Sequence, residues 1–189
     1  MEIIKIIDKP IQQRTFLYEF QIENEDTDYF IQKIENNIDS ELSGRTNVKG
    51  LMTSYKLFVN DDLLRKTLHS VIENVDAIKN YGTGRMRLID AWGIKLLVGQ
   101  HTQPHTHRGC YLSGIWYLND CDNPLIFPEL NLNIKPKKNR ILFWDPVLRH
   151  YTPMVEDKTK YALVFNFEEA KAWDNLKGAQ ERKLLMYKI

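Results

Sequence analysis

The period of the hydrophobic positions changes about halfway along the chain. In the leading half, Glu2–Ile7 alternates weakly and predicts a strand. Thr27–Ser40 carries Tyr29, Ile31, Ile34 and Ile38 at helical spacing, with Asp26 or Thr27 as N-cap. Ser43–Lys49 is polar and contains glycine, so it reads as a loop. The strongest helical stripe is Asp61–Lys79, where Leu63, Leu64, Leu68, Val71, Ile72 and Val75 share one face. Asn60 or Asp61 can cap it, and Asn80–Gly84 ends it with two glycines. Both stripes are read as packing against a sheet.

The trailing half alternates with a period of two. Arg87–Val98, Tyr111–Leu118, Pro124–Phe127, Leu130–Ile134, Arg140–Trp144 and Lys160–Phe167 are short segments rich in β-branched and aromatic residues. Turn-forming clusters separate them, among them Gly99–Pro104, Asn119–Asn123, Lys135–Asn139 and Glu156–Thr159. Many short strands at this spacing predict a sandwich or jelly roll. Glu169–Tyr187 reads as a charged helix. The expected organisation is one domain over 1–189: a helix-bearing part (1–86), a jelly-roll core (87–168) and a C-terminal helix (169–189).

Composition narrows the function classes. The 26 Lys plus Arg nearly cancel the 25 Asp plus Glu, so no strong field points to nucleic acid or an anionic membrane. No apolar run approaches the roughly 20 residues that span a bilayer. The two cysteines, Cys110 and Cys121, cannot form a disulfide framework, and Met1–Ile7 is too short for a signal peptide. A reducing, cytoplasmic setting is expected.

Four of the five histidines lie in the trailing half. His105 and His107 are two residues apart, so in an extended segment both rings point to one face and offer adjacent ligands to one metal. His150, beyond the apolar segment Ile141–Trp144 and a loop with Pro146, is the natural third ligand. His69 sits on the long helix and is taken as structural. A closed zinc site from His105, His107, Cys110 and Cys121 is a competing reading. Regular alternation turns Cys110 to the opposite face, and a bulge at Gly109 would be needed to bring it back.

Lys160 opens the last strong strand. Alternation puts Lys160, Ala162, Val164 and Asn166 on one face and the bulky Tyr161, Leu163, Phe165 and Phe167 on the other. A lysine directed into a barrel lumen is costly unless an anion meets it there, such as the carboxylate of a small acid. The opposite orientation, with Lys160 in solvent, satisfies the alternation equally.

The stretch Gly99–Leu118 contains His105-Thr-His107 followed by Ser113-Gly114-Ile115-Trp116-Tyr117. It resembles the metal-binding segment of 2-oxoglutarate–Fe(II) oxygenases of marine bacteria and their tailed phages, within the prolyl-hydroxylase-like superfamily. Arg140-Ile141-Leu142-Phe143, His150 and Lys160 to Phe165-Asn166 stand where that family carries its second motif. Thr46–Ser54 is similar to its N-terminal region. The family usually has a carboxylate two residues after its first histidine, and His107 occupies that place. If His107 is the first ligand, Gly109 occupies it instead, as in the aspartyl/asparaginyl β-hydroxylases. Lys160 stands for the usual Arg, and Asp145-Pro146 replaces the usual residues before the distal histidine.

The resemblance implies a mainly β fold with flanking helices, a double-stranded β-helix (jelly roll, cupin-like). It implies Fe(II) held by His105, His107 and His150. 2-Oxoglutarate enters as co-substrate, with Lys160, Ser113 and Asn166 in its binding. The implied activity is hydroxylation of an unactivated C–H bond in a small-molecule or peptide substrate. Two other readings remain open. One is a three-histidine metal dioxygenase that does not use 2-oxoglutarate, and the other a non-catalytic jelly-roll binding or structural protein.

Overall fold

A computed structural model describes residues 2–10, 14–23, 26–73, 85–169 and 186–188. With strands numbered along the chain, the main sheet runs β1 (Glu2–Pro10), β2 (Arg14–Gln21), β10 (Arg140–Trp144), β7 (Leu112–Tyr117), β11 (Lys160–Glu169), β5 (Arg85–Leu96) and β12 (Met186–Lys188). A short β4 (Leu51–Met52) also pairs with β5. Facing this sheet are two small ladders, β3 (Val48–Lys49) with β6 (His101–Thr102) and β8 (Leu125–Phe127) with β9 (Leu132–Ile134). The paired strands are antiparallel throughout. This is the double-stranded β-helix expected from the sequence.

Strand alternation divides the interior into two cores. Phe20, Trp116, Phe143, Leu163 and Phe165 face outward from the barrel and pack under α1 (Thr27–Glu35) and α2 (Asp62–Glu73) through Phe30, Ile34, Leu64 and Leu68. Ile94, Ile115, Leu142, Trp144, Ala162 and Val164 face the lumen between the main sheet and the small ladders. Trp116 is fully buried, so its loss to Ala would cost about 3–5 kcal/mol. Gly114 on β7 has no room for a side chain. A Cβ there would stand 2.2 Å from the Phe165 ring and 2.7 Å from the Leu142 carbonyl oxygen.

The helices are tied by one carboxylate. Asp61 caps α2 by accepting from the Leu64 N–H at 3.0 Å, and also accepts from Tyr29 Oη (2.7 Å) and Lys33 Nζ (2.5 Å) on α1. Burial opposes its charge. The bonds from Lys33, the Leu64 N–H and Tyr29 outweigh burial and hold the carboxyl below its usual range.

The elements differ from the sequence reading in several places, among them His101–Thr102, read within a turn cluster, which pair with Val48–Lys49 as β6. β2 was not anticipated, although Phe16, Tyr18 and Phe20 alternate along it. Within 43–49, read as a loop, Val48 and Lys49 form β3. α1 ends at Glu35 rather than Ser40: Asn37 Nδ2 donates to the Lys33 carbonyl at 2.8 Å, and Ile38 leaves to bridge Thr53. The C-terminal helix was expected to reach Tyr187. Met186–Lys188 is instead a strand on β5, β11 continues to Glu169, and 170–185 lie outside the described residues, as do 74–79 of the expected second helix.

Candidate metal centre

His105 and His150 lie in irregular segments that touch through a single antiparallel rung. The His105 N–H donates to the His150 carbonyl at 3.1 Å, and the His150 N–H returns the bond at 3.0 Å. A reciprocal rung puts both side chains on one face, and the ring centroids stand 4.5 Å apart. His107 is placed by its own N–H, which donates to the Pro146 carbonyl at 2.9 Å. Its ring centroid is 5.1 Å from each of the other two. One ring nitrogen from each histidine falls within 4.8 Å of the others. The segment around His105 and His107 is not a regular strand, so these bonds set the shared face in place of simple alternation.

The second ring nitrogens are all engaged. Nδ1 of His105 meets the Gln103 carbonyl at 2.7 Å, Nδ1 of His150 the Leu148 carbonyl at 2.9 Å, and Nδ1 of His107 the Asn166 Oδ1 at 2.9 Å. An oxygen acceptor requires each Nδ1 to carry the proton, which leaves each Nε2 with a lone pair. His107 Nε2 is buried and has no partner. Burial pushes the His105 and His150 rings below their ordinary pKa. It lowers His107 to about 4, helped by the charge of His105 and opposed by the Asn166 bond and Asp90. Three neutral imidazoles, each oriented by a carbonyl-type oxygen, are the donor set that a borderline divalent metal takes.

Two cavities meet at the histidines. The inner one encloses about 390 Å³ including its mouth and is walled by Trp92, Ile94, Ile115, Trp144, Thr152 and Val164. Lys160 lies behind Thr152, fully buried, with Nζ donating to Thr152 Oγ1 at 2.9 Å and lying 5.3 Å from the Tyr117 ring centroid. No carboxylate pairs with it among the described residues. Burial, weakly opposed by Cys121, pushes its pKa down to about 7. The Nε1 atoms of Trp92 and Trp144 are likewise buried without partners. The cavity thus has three neutral imidazoles in its lining and an uncompensated amine behind Thr152, a pairing that suits a small dianion. The outer cavity, about 480 Å³ with its mouth, is polar and lies on the far side of His105 and His107, against Asn47, Tyr55, Asp90 and Asn166.

The histidine trio and the inward face of Lys160 are thus assembled. Ser113 and Asn166 stand differently. Ser113 Oγ donates to Asn166 Oδ1 at 2.7 Å, the oxygen that meets His107, so both brace a histidine from behind. The four-ligand zinc arrangement is absent. Cys121 is buried against Asn123 and Asp157, and the metal-ligating cluster among the described residues contains neither cysteine. His101 lies on β6 and His69 on α2, outside the cluster. Thr152, Trp92, Trp144 and Asp90 were not singled out from the sequence, because single polar or aromatic positions carry no spacing signal.

No family model matches the chain, and no curated protein sequence does. Solved structures do. A viral collagen prolyl hydroxylase from Paramecium bursaria Chlorella virus-1, in its 2OG complex, superposes with a TM-score of 0.64 at 17% identity, covering 82% of this chain and 96% of that one. A Trichoplax adhaerens prolyl hydroxylase in complex with a hypoxia inducible factor peptide fragment gives 0.59 at 15% identity, with 81% and 83% covered. HygX from Streptomyces hygroscopicus, with nickel and 2-oxoglutarate bound, gives 0.59 at 10% identity, with 82% and 83% covered. The chain therefore shares the double-stranded β-helix fold of these proteins over most of its length.

Proposed function

We propose that this chain is an Fe(II)- and 2-oxoglutarate-dependent dioxygenase that hydroxylates an unactivated C–H bond of a small-molecule or peptide substrate. The observation that carries the proposal is a cavity lined by three clustered histidines whose wall residue Thr152 accepts from a buried amine that has no counter-charge among the described residues. The fit is tested by the orphaned atoms. His107 Nε2 is desolvated with nothing to bond, a cost that a metal removes. Lys160 is desolvated without an anion, a cost that a carboxylate removes. The fold neighbours crystallised with 2OG or with nickel and 2-oxoglutarate support the same reading.

When bound, the iron would let dioxygen act as the oxidant, one oxygen atom going to succinate as 2-oxoglutarate loses carbon dioxide and the other to the substrate. The chain's own residues do the rest. His105, His107 and His150 would hold the metal through their free ring nitrogens. Gln103, Asn166 and Leu148 fix the three tautomers. Lys160 and Thr152 take the distal carboxylate of the co-substrate, as a point charge and a hydroxyl in place of a guanidinium fork. Ile94, Ile115, Trp144 and Val164 exclude water from the lumen. Ser113 acts through Asn166. In a three-histidine dioxygenase without 2-oxoglutarate, Lys160 would meet an anionic group of the substrate itself, and no succinate would form. The free thiols of Cys110 and Cys121 suit a reducing, cytoplasmic setting; among the described residues, no helix is long and apolar enough to cross a membrane. The bacterial and phage subgroup rests on the motifs of residues 99–118 and 140–166, and a single catalytic domain over 1–189 is part of the same proposal.

The test is product formation. Protein supplied with Fe(II), 2-oxoglutarate and oxygen should form succinate, detected by proton NMR. Omitting iron or substituting Lys160→Ala should suppress it. Iron-independent succinate, or none from the wild-type chain, would refute the assignment.

A further inference from the structure

We infer that the outer polar cavity is the primary-substrate subsite and that Asp90 selects a substrate bearing an amine or guanidinium cation. The inference rests on the oxygenase reading for the word substrate. The cavity and its charge stand independently of that reading.

The cavity opens against His105 and His107, so a molecule seated in it lies beside the histidine trio. Its walls are of two kinds. Thr46, Asn47 and Thr106 supply hydroxyls and an amide, while Tyr55 and Trp92 supply an aromatic corner, their centroids 5.1 Å apart in an edge contact. Among the lining residues the one formal charge is negative. That charge is the Asp90 carboxylate, the one carboxylate among the lining side chains. An anionic substrate gains no bond from this carboxylate. A neutral aliphatic one would strip water from a carboxylate and return no bond.

Asp90 is placed on β5 opposite Asn166 of β11, the residue that orients His107. Only one of its oxygens is used. Oδ1 accepts from Lys56 Nζ at 2.8 Å, and Oδ2 has no partner among the described residues. The Lys56 side chain is 68% exposed against 25% for Asp90. Lys56 Nζ also donates to the Ile89 carbonyl at 2.5 Å; an exposed lysine holds such bonds weakly against water, and a cation entering from solvent can share Asp90 through its free Oδ2. Tyr55, 38% exposed, stands at the solvent side and Trp92, 5% exposed, at the inner side. An aromatic face beside a carboxylate is the pairing that recognises ammonium and guanidinium groups.

The experiment is calorimetric titration of the full chain, metal-free and with Ni(II) plus 2-oxoglutarate. The probes are the amides of Nα-acetyl-lysine and Nα-acetyl-arginine, against their uncharged counterparts from norleucine and citrulline. The cationic probes should bind at least about tenfold more tightly than the neutral ones. Asp90→Asn should erase that preference, and Lys56→Met should widen it by freeing Oδ1. Equal affinity for charged and uncharged probes, an undiminished preference in Asp90→Asn, or no binding of either cation at millimolar concentration would overturn the inference. The Fe(II)–2-oxoglutarate titration of the same preparation separates the two readings. A protein that binds co-substrate but shows no cation preference keeps the oxygenase assignment and loses this inference. One that prefers cations but fails to bind 2-oxoglutarate overturns the cavity's role as a substrate subsite.

Discussion

The backbones of His105 and His150 exchange two hydrogen bonds, at 3.1 and 3.0 Å, and their rings face each other 4.5 Å apart. Two ligands from distant parts of the chain are thus set by one rung of backbone pairing, independent of either imidazole. Removing a ring leaves the rung intact. His105→Ala and His150→Ala should each lose metal while far-UV circular dichroism stays that of the wild type. Elemental analysis checks this, and stoichiometric iron in the double variant would contradict it.

Asn166 meets His107 Nδ1 through the oxygen that also accepts from Ser113. Without that acceptor the ring can rotate or change tautomer. Asn166→Ala should weaken metal binding by about tenfold to a hundredfold. A competition titration against a chelating dye measures it. Unchanged affinity would show that His107 is not a ligand and that the metal rests on two histidines.

Lys160 is the proposed anchor of the distal carboxylate. Lys160→Ala should raise the 2-oxoglutarate concentration needed for half-saturation by about tenfold to a thousandfold, with iron binding retained. The binding should also take up a proton. The free amine has its pKa pushed down to about 7, and a bound carboxylate restores the charged form. Above pH 7 the binding heat should therefore vary with the ionisation enthalpy of the buffer, and well below pH 7 it should not. A pH-independent binding heat would show that the amine does not meet the co-substrate.

The same burial makes Lys160 a liability in the ligand-free protein. Its ordinary pKa of 10.5 falls to about 7 on folding. Below pH 7 both states carry the proton and the full desolvation cost opposes folding. Between about 7 and 10.5 the unfolded chain holds the proton and the folded one does not, so stability rises with pH. Lys160→Met should stabilise the ligand-free protein at neutral pH by about 1–4 kcal/mol. The gain should shrink as pH rises toward 10.5. Thermal melts at pH 6 and pH 10 read the difference, and a destabilised Lys160→Met variant would contradict it.

Asp61 joins α1 to α2 through Lys33, Tyr29 and the Leu64 N–H. Asp61→Ala removes an N-cap and an ion pair whose lysine is partly exposed, and should cost about 2–4 kcal/mol in denaturant unfolding. Because the carboxyl lies below its usual range, its contribution is present at neutral pH and is lost as pH falls through the acid range. A variant as stable as wild type at pH 7 would remove the pair from the account.

Residue alternation carried much of this structure in advance. On β11 the small Ala162 and Val164 against the bulky Tyr161, Leu163 and Phe165 left two orientations for Lys160, and the packing of the aromatic face under the helices selected the buried one. His105 and His107 were legible from spacing, and His150 from its place after β10. The rung that joins His105 to His150 was not, since it links two irregular segments without a strand pattern in either. β2 did carry a signal: Phe16, Tyr18 and Phe20 alternate with polar Thr15 and Glu19, and only Leu17 breaks the period. Ser113 and Asn166 were read as co-substrate contacts because motif position does not distinguish a group that touches a ligand from one that holds a histidine.

The most direct test of the central claim is an anaerobic absorption titration of the protein with Fe(II) and 2-oxoglutarate. The account predicts a visible charge-transfer band that saturates at one iron per chain, is absent in His150→Ala, and requires far more 2-oxoglutarate in Lys160→Ala. A wild-type chain that takes up iron but develops no band at saturating 2-oxoglutarate would contradict it.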